Sequence, residues 1–280
     1  MSLNFNDNLS NEYVLDGKQL ERITSEKDLG LKISNDLCWD DTIRQCVKDA
    51  NKSIAWVQRN MLSRDPQILC KVFKSLVRHH LEYCVQAWNP AACHGNWGII
   101  MEVESVQRRF TRLADDIGML PYSERLDRMK LTTLAERRIR GDLIETFKIV
   151  NGLVDYGKNV FKTSRRNNIV SKVNLGSTNS KEIDKLRSMF LPERIRNYWN
   201  SLPMYCKNSE NVDNFKINLD RFKKECIHSD ENNYWEVSNL ILSKIEGNAS
   251  YLDRKECHNA YLLENPYIAK KKGINIYTRN

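Results

Sequence analysis

No apolar run in this 280-residue chain is long enough to cross a bilayer as a helix, and Met1-Ser2-Leu3-Asn4-Phe5 does not open a secretory signal pattern. Those two absences predict an intracellular protein with no membrane partner. Its eight cysteines show no repeated Cys-x-x-Cys spacing, so in a reducing compartment they read as free thiols or small core residues. Cys226-Ile227-His228 and Cys257-His258 hold chemically suitable zinc ligands, but neither pair has the short spacer of a structural zinc site. A Gly-x-Ser-x-Gly turn and a Gly-rich phosphate loop are also missing, which removes the usual grounds for a serine hydrolase or a nucleotide-binding enzyme. His79-His80 falls in an apolar helical stretch with no evident catalytic partner. The acceptor patterns at Asn8-Leu9-Ser10, Asn51-Lys52-Ser53 and Asn248-Ala249-Ser250 carry no weight without secretion.

What is present is charge and helical periodicity. A net charge of +8 and a sequence pI near 9.0 are compatible with a polyanionic partner, though modest for this length. The length suits one large or two small cores.

The first organised unit has a β character. Tyr13-Val14-Leu15 and Gln19-Leu20-Glu21-Arg22-Ile23 flank Asp16-Gly17, a pair that favours a tight hairpin turn. Leu29-Gly30-Leu31-Lys32-Ile33 alternates as a third strand would. Such a small element is marginal alone and predicts an exposed apolar face.

Helices follow. Ile43, Val47, Ala50, Ile54, Val57 and Met61 form the apolar seam of one, with Asp40 or Asp41 expected to cap it at Thr42. Asp65-Pro66 starts a second, in which Leu69, Phe73, Leu76 and His80 line one face and Lys71, Lys74 and Arg78 the other. Ile99, Val103, Val106, Phe110 and Leu113 form a third seam, with Arg108 and Arg112 turned away and Arg109 flanking. Asp115-Asp116, before Gly118 and Pro121, reads as a helix end and loop.

Ala135, Ile139, Leu143, Phe147 and Val150 give another seam, closed at Gly152. Glu136 with Arg140, and Arg138 with Asp142, have the spacing of intrahelical pairs, leaving Arg137 without one. Gly141 inside this helix suggests close approach of another backbone. Periodicity then disappears over 157–185, a linker in which Arg165-Arg166 is a possible phosphate contact. Met189-Phe190-Leu191, Ile195, Tyr198, Trp199 and Leu202 predict a short aromatic helix stopped by Pro203. The seam positions of Tyr198 and Trp199 favour burial over base stacking. Val212, Phe215, Leu219 and Phe222 predict another helix, and Tyr234-Trp235 to Ile245 has the pattern of one more. Lys270-Lys271-Lys272 belongs to a polar tail.

The stretch Tyr122-Ser123-Glu124-Arg125-Leu126 through Asn151-Gly152 resembles the region downstream of the polymerase core in jockey-like non-LTR retrotransposon reverse transcriptases. Further words occur in family order: Lys27-Asp28-Leu29-Gly30, Leu81-Glu82-Tyr83 with Trp88-Asn89-Pro90, Val106-Gln107-Arg108-Arg109, Tyr198-Trp199-Asn200-Ser201-Leu202-Pro203 and Asn214-Phe215-Lys216. The resemblance runs over roughly residues 12 to 223. It implies a mainly α fold, with a thumb-like helical bundle over 35–156 preceded by a short β-hairpin or three-stranded element within 1–34. That element would join an upstream palm to the thumb. After the 157–185 linker come a short helical segment over 186–226 and a loose C-terminal tail over 227–280.

The family's palm holds two magnesium ions on an aromatic-x-Asp-Asp turn and a further aspartate. No Tyr-x-Asp-Asp occurs here. Cys38-Trp39-Asp40-Asp41 is the nearest imitation, but it follows the Lys-Asp-Leu-Gly word, whereas the family's turn precedes it. The resemblance therefore implies a non-catalytic part of an RNA-directed DNA polymerase, with no cofactor of its own. Magnesium belongs to the parent's palm. The implied partners are RNA, an RNA/DNA template-primer and the missing palm. A thumb lays helices along the duplex, and phosphate contacts position it without reading sequence. Lys71, Lys74, Arg78, Arg108, Arg112 and Arg137 are the candidate contacts. The contrasting reading is an ordinary solvated face on a helical protein-interaction module, or on an inert relic of a mobile element.

Overall fold

The computed structural model of the chain describes residues 13–21, 23–90, 97–156, 161 and 189–226. Arg165-Arg166, His228, Cys257-His258, the helical pattern around Tyr234-Trp235 and Lys270-Lys271-Lys272 lie outside the described residues.

The fold is mainly α, behind two small antiparallel hairpins rather than a three-stranded element. β1 (Val14–Leu15) pairs with β2 (Lys18–Gln19), and β3 (Ser25–Asp28) pairs with β4 (Leu31–Ser34). Both two-residue turns have positive φ throughout, +50° and +74° at Asp16-Gly17 and +45° and +87° at Leu29-Gly30. That geometry matches strand twist and explains why the Leu29-Gly30 pair turns the chain instead of extending a third strand. The first hairpin exposes Tyr13, Val14, Leu15 and Leu20, as its pattern predicts. The second is fastened to the helices. Leu31 is buried, Tyr83 donates its hydroxyl to the Leu29 carbonyl (2.7 Å), and Thr42 donates to the Lys32 carbonyl.

Helix α1 (Asp40–Asn60) starts two residues earlier than its capping pattern predicts. Trp39 holds the N-cap position without a side-chain bond, and Asp40 and Asp41 lie in the first turn, where acids complement the helix dipole. Its seam is buried as expected, apart from Met61, which is half-buried. α2 (Pro66–Val72) is capped by Asp65, which accepts from the amides of Gln67 and Ile68 at 2.9 Å each.

The α2 helix does not continue as predicted. It runs into a π-turn (Phe73–Val77) and a 3-10 turn (Arg78–Leu81), so the buried row is Leu69, Phe73, Val77 and Leu81. Residues four apart on an α-helix are rotated by about 40°. The wider π-turn takes up that drift and holds a four-residue row against the core. Leu76 is consequently 39 % exposed, and His80 only half-buried.

The core helices α1, α2 and α4 (Trp97–Thr111) meet around Phe73 and Phe110, whose ring centroids are 5.1 Å apart. α3 (Val85–Trp88) and α5 (Tyr122–Met129) close the sides of this first core. Asp116 and Gly118 lie in the connection between α4 and α5, as expected. α6 (Leu134–Val150) begins at a capping Thr133 and is followed by Gly152 at φ +68°. Its first residues, Leu134 and Ala135, belong to the first core. Ile139, Leu143 and Phe147 open a second core with α7 (Leu191–Ser201), α8 (Met204–Lys207) and α9 (Val212–Cys226). Phe147 stacks on Phe215 at 4.3 Å, and Trp199 is fully buried, as its seam position predicts. One helix thus serves both cores. No helix among the described residues is long and apolar enough to cross a membrane.

Candidate nucleic-acid interface

The six predicted cations separate by environment. Lys71, Lys74 and Arg112 are exposed, and their side chains bond to no described residue. Arg108 is half-buried instead of turned away. Its Nε is enclosed without a hydrogen-bond partner, and its carbonyl accepts from Arg125 at 2.8 Å.

Arg78 and Arg137 are not free. Both contact Glu82, Arg78 at 3.5 Å and Arg137 through both Nε and Nη2, the latter at 3.2 Å. Burial, together with neighbouring Arg137, depresses the proton affinity of Arg78 below its ordinary value. An ion pair already made offers less to a phosphate, because the Glu82 carboxylate would be left partly uncompensated. Arg137 thereby ties Glu82, at the end of the 3-10 turn, to α6, and Arg78 shares the same carboxylate, so both cations are engaged within the fold.

The neighbours of Arg137 show the same substitution of distant partners for local ones. Glu136 pairs with Lys223 (2.5 Å), Arg140 with Asp220 (3.1 Å), and Asp142 with Arg194 (2.7 Å), so neither predicted intrahelical pair forms. Arg138 is buried with all three guanidinium nitrogens unpartnered among the described residues, in the field of Glu104, Glu82 and Asp142. Gly141 has no close backbone neighbour. A Cβ there would meet nothing within 4 Å, which corrects the reading of close approach.

Among the described residues, α1 carries the largest set of solvent-facing cations on one element. Because the helix buries Ile43, Val47, Ala50, Ile54 and Val57, its opposite side carries Arg44, Lys48, Lys52 and Arg59, all exposed. At about 100° per residue these four fall within about 80° of arc. Arg44 and Lys48 make no side-chain hydrogen bond or ion pair with a described residue, Arg59 bonds only to the Ala55 carbonyl, and Lys52 pairs with Asp49 at 2.7 Å. α4 adjoins this surface, since Arg109 reaches Asn51 on α1 at 2.7 Å, and the exposed Arg112 follows directly after the helix's last residue, Thr111. The signal was present in the sequence, as the complement of the apolar seam at spacings of four, four and seven.

On its other flank, α1 faces the 3-10 turn. Ser53 and His80 are hydrogen-bonded (3.1 Å), the His79 and His80 rings are 3.9 Å apart, and His79 Nδ1 donates to the Ser75 carbonyl (3.1 Å). The two histidines divide two clefts. One of about 870 Å³ lies between the second hairpin and α1, with Glu26, Asp49 and Glu82 as well as Lys27 and Lys32 in its wall. The other, of about 260 Å³, is lined by Ser53, Trp56, Leu76, His79 and His80.

Asp40 and Asp41 do not form a polymerase metal site. Asp41 is paired with Lys32 (3.0 Å), and no group of three or more His, Cys, Asp or Glu side chains converges among the described residues. A two-metal centre needs several carboxylates aimed at one point. The donor set here does not fit that group, and no catalytic step passes through it. No protein-family model, curated protein or solved structure matches the chain.

Proposed function

We propose that the chain is a non-catalytic nucleic-acid-contacting module, thumb-like in role, of an RNA-directed DNA polymerase of the non-LTR retrotransposon type. Its ligand is an RNA/DNA template-primer, gripped through phosphates. The observation that carries this reading is the basic face of α1, Arg44, Lys48, Lys52 and Arg59, continued by Arg109 and Arg112. Backbone contacts of this kind need exposed cations on rigid elements, and α1 supplies them on a 21-residue helix anchored by a seam buried from Ile43 to Val57, with Arg44 and Lys48 unpaired among the described residues and Lys52 shared with Asp49. Lys71 and Lys74 are secondary contacts. Arg78, Arg108 and Arg137 support the shape of the module.

A template-primer hybrid, single-stranded RNA and an unrelated polyanion such as heparin, titrated over a salt series, test the proposal. Preference for the hybrid with a steep salt slope supports it, and equal weak binding to all three refutes it. The contrasting interaction-module reading draws on Tyr13, Val14, Leu15 and Leu20, all more than half exposed on the first hairpin. It predicts instead that binding to the hybrid never exceeds what net charge gives.

A further inference from the structure

Trp56 is the exposed aromatic of α1. It is 52 % exposed, and its indole N–H has no partner among the described residues. A tryptophan kept for packing alone would be covered, and a covered one would satisfy its N–H. Trp56 also lies four residues from Lys52 and three from Arg59, about 40° beyond the edge of the cationic arc. Across the small cleft stand Leu76, pushed outward by the π-turn, and the His79 and His80 rings, which lie close but tilted by 39° to each other.

From this arrangement we infer that the Trp56 cleft holds one unpaired base of a single strand whose phosphates run along Lys48 and Arg59, with Lys52, paired to Asp49, between them. The inference rests on the reading of α1 as a phosphate-contact face and adds to it a site for single-stranded nucleic acid. The cleft, at about 260 Å³, falls just below the range of about 300–1,000 Å³ typical of whole-ligand pockets, and so suits a planar ring attached to a chain that continues outside. An aromatic face beside a cationic track is the pairing by which proteins hold single strands without reading their sequence. The larger cleft across the histidines is a poorer path for a phosphate chain, because Glu26, Asp49 and Glu82 line it. Burial and the adjacent His79 keep His80 below the usual histidine pKa, with Asp49 opposing and Lys52 assisting, so at neutral pH it offers the base an uncharged ring.

The experiment uses the full chain and a short oligoadenylate carrying one fluorescent adenine analogue, compared with a fully paired RNA/DNA hybrid. Three proteins are titrated: wild type, Trp56→Ala, and the double variant Lys48→Gln with Arg59→Gln. Trp56→Ala is expected to weaken oligoadenylate binding about five-fold to a hundred-fold, abolish quenching of the analogue, and leave hybrid affinity within two-fold. Trp56→Phe is expected to restore most of the loss. If Trp56→Ala leaves oligoadenylate binding unchanged while the double variant weakens both ligands, the base site is wrong and the phosphate face stands. If neither ligand binds above the level of an unrelated polyanion, both readings fail together. Loss of self-association in Trp56→Ala, seen by sedimentation without change in nucleic-acid binding, would instead make the cleft a protein-docking surface and overturn the inference.

Discussion

Arg194 and Asp142 form a two-pronged ion pair at the junction of the two cores, Nη2 to Oδ1 at 2.7 Å and Nε to Oδ2 at 2.9 Å, with side chains no more than 2 % exposed. The same guanidinium donates to the carbonyls of Gln86 (2.6 Å) and Met189 (2.7 Å), and Asn89 donates to the same carboxylate (2.7 Å). α3, α6 and α7 therefore converge on one buried charge pair. Asp142→Ala or Arg194→Ala leaves the partner charge buried and alone, a loss of about 3–5 kcal/mol. Urea denaturation of each variant checks this. A loss below about 1 kcal/mol would mean that the pair is not buried as described.

Gly141→Ala is expected to stabilise the fold. The added methyl meets no atom within 4 Å, while alanine in a helix interior is favoured over glycine by about 1 kcal/mol. The midpoint in urea should rise with an unchanged slope.

Gly118→Ala should do the opposite. A Cβ there would lie 2.7 Å from the Arg112 carbonyl oxygen and 2.9 Å from that of Ala114, both backbone atoms with little freedom to move. Overpacking of this sort costs about 1–3 kcal/mol, read from the same denaturation curves.

How much of this was legible in the sequence depends on the kind of interaction. The seams of α1, α4 and α6 follow from apolar period, because burial of one stripe dominates helix stability. The π-turn was not legible. Leu76 and Val77 are equally apolar, and the choice between them depends on whether the row keeps a four-residue step against the core. The ion pairs of α6 were misread for an energetic reason. Intrahelical pairs are worth only a few tenths of a kcal/mol, so Asp220, Lys223 and Arg194, remote in sequence and brought close by the second core, displace them. Arg44, Lys48 and Arg59 were legible from the α1 seam, since a buried stripe defines its exposed complement.

Glu104 makes stability depend on pH. Burial raises its pKa above the usual value of 4.5, although the Tyr122 hydroxyl (2.6 Å) and the Leu134 amide (3.0 Å) donate to it and Arg138 opposes the shift. A carboxyl whose folded pKa is raised favours folding most below its unfolded pKa, and that contribution is lost as pH rises through the folded value. Glu104→Gln removes the ionisation. Its stability relative to wild type should improve as pH climbs from about 4.5, and a difference independent of pH would contradict the assignment.

The most direct measurement of the central claim is the salt dependence of hybrid binding by wild type and by the combined variant Arg44→Gln, Lys48→Gln, Arg59→Gln and Arg112→Gln. Each phosphate contact removed should lower the slope of log K against log salt by about 0.9 or somewhat less. The account predicts a markedly shallower slope and weaker binding with an unchanged urea midpoint, since all four side chains are exposed. An unchanged slope and affinity in a folded variant would contradict it.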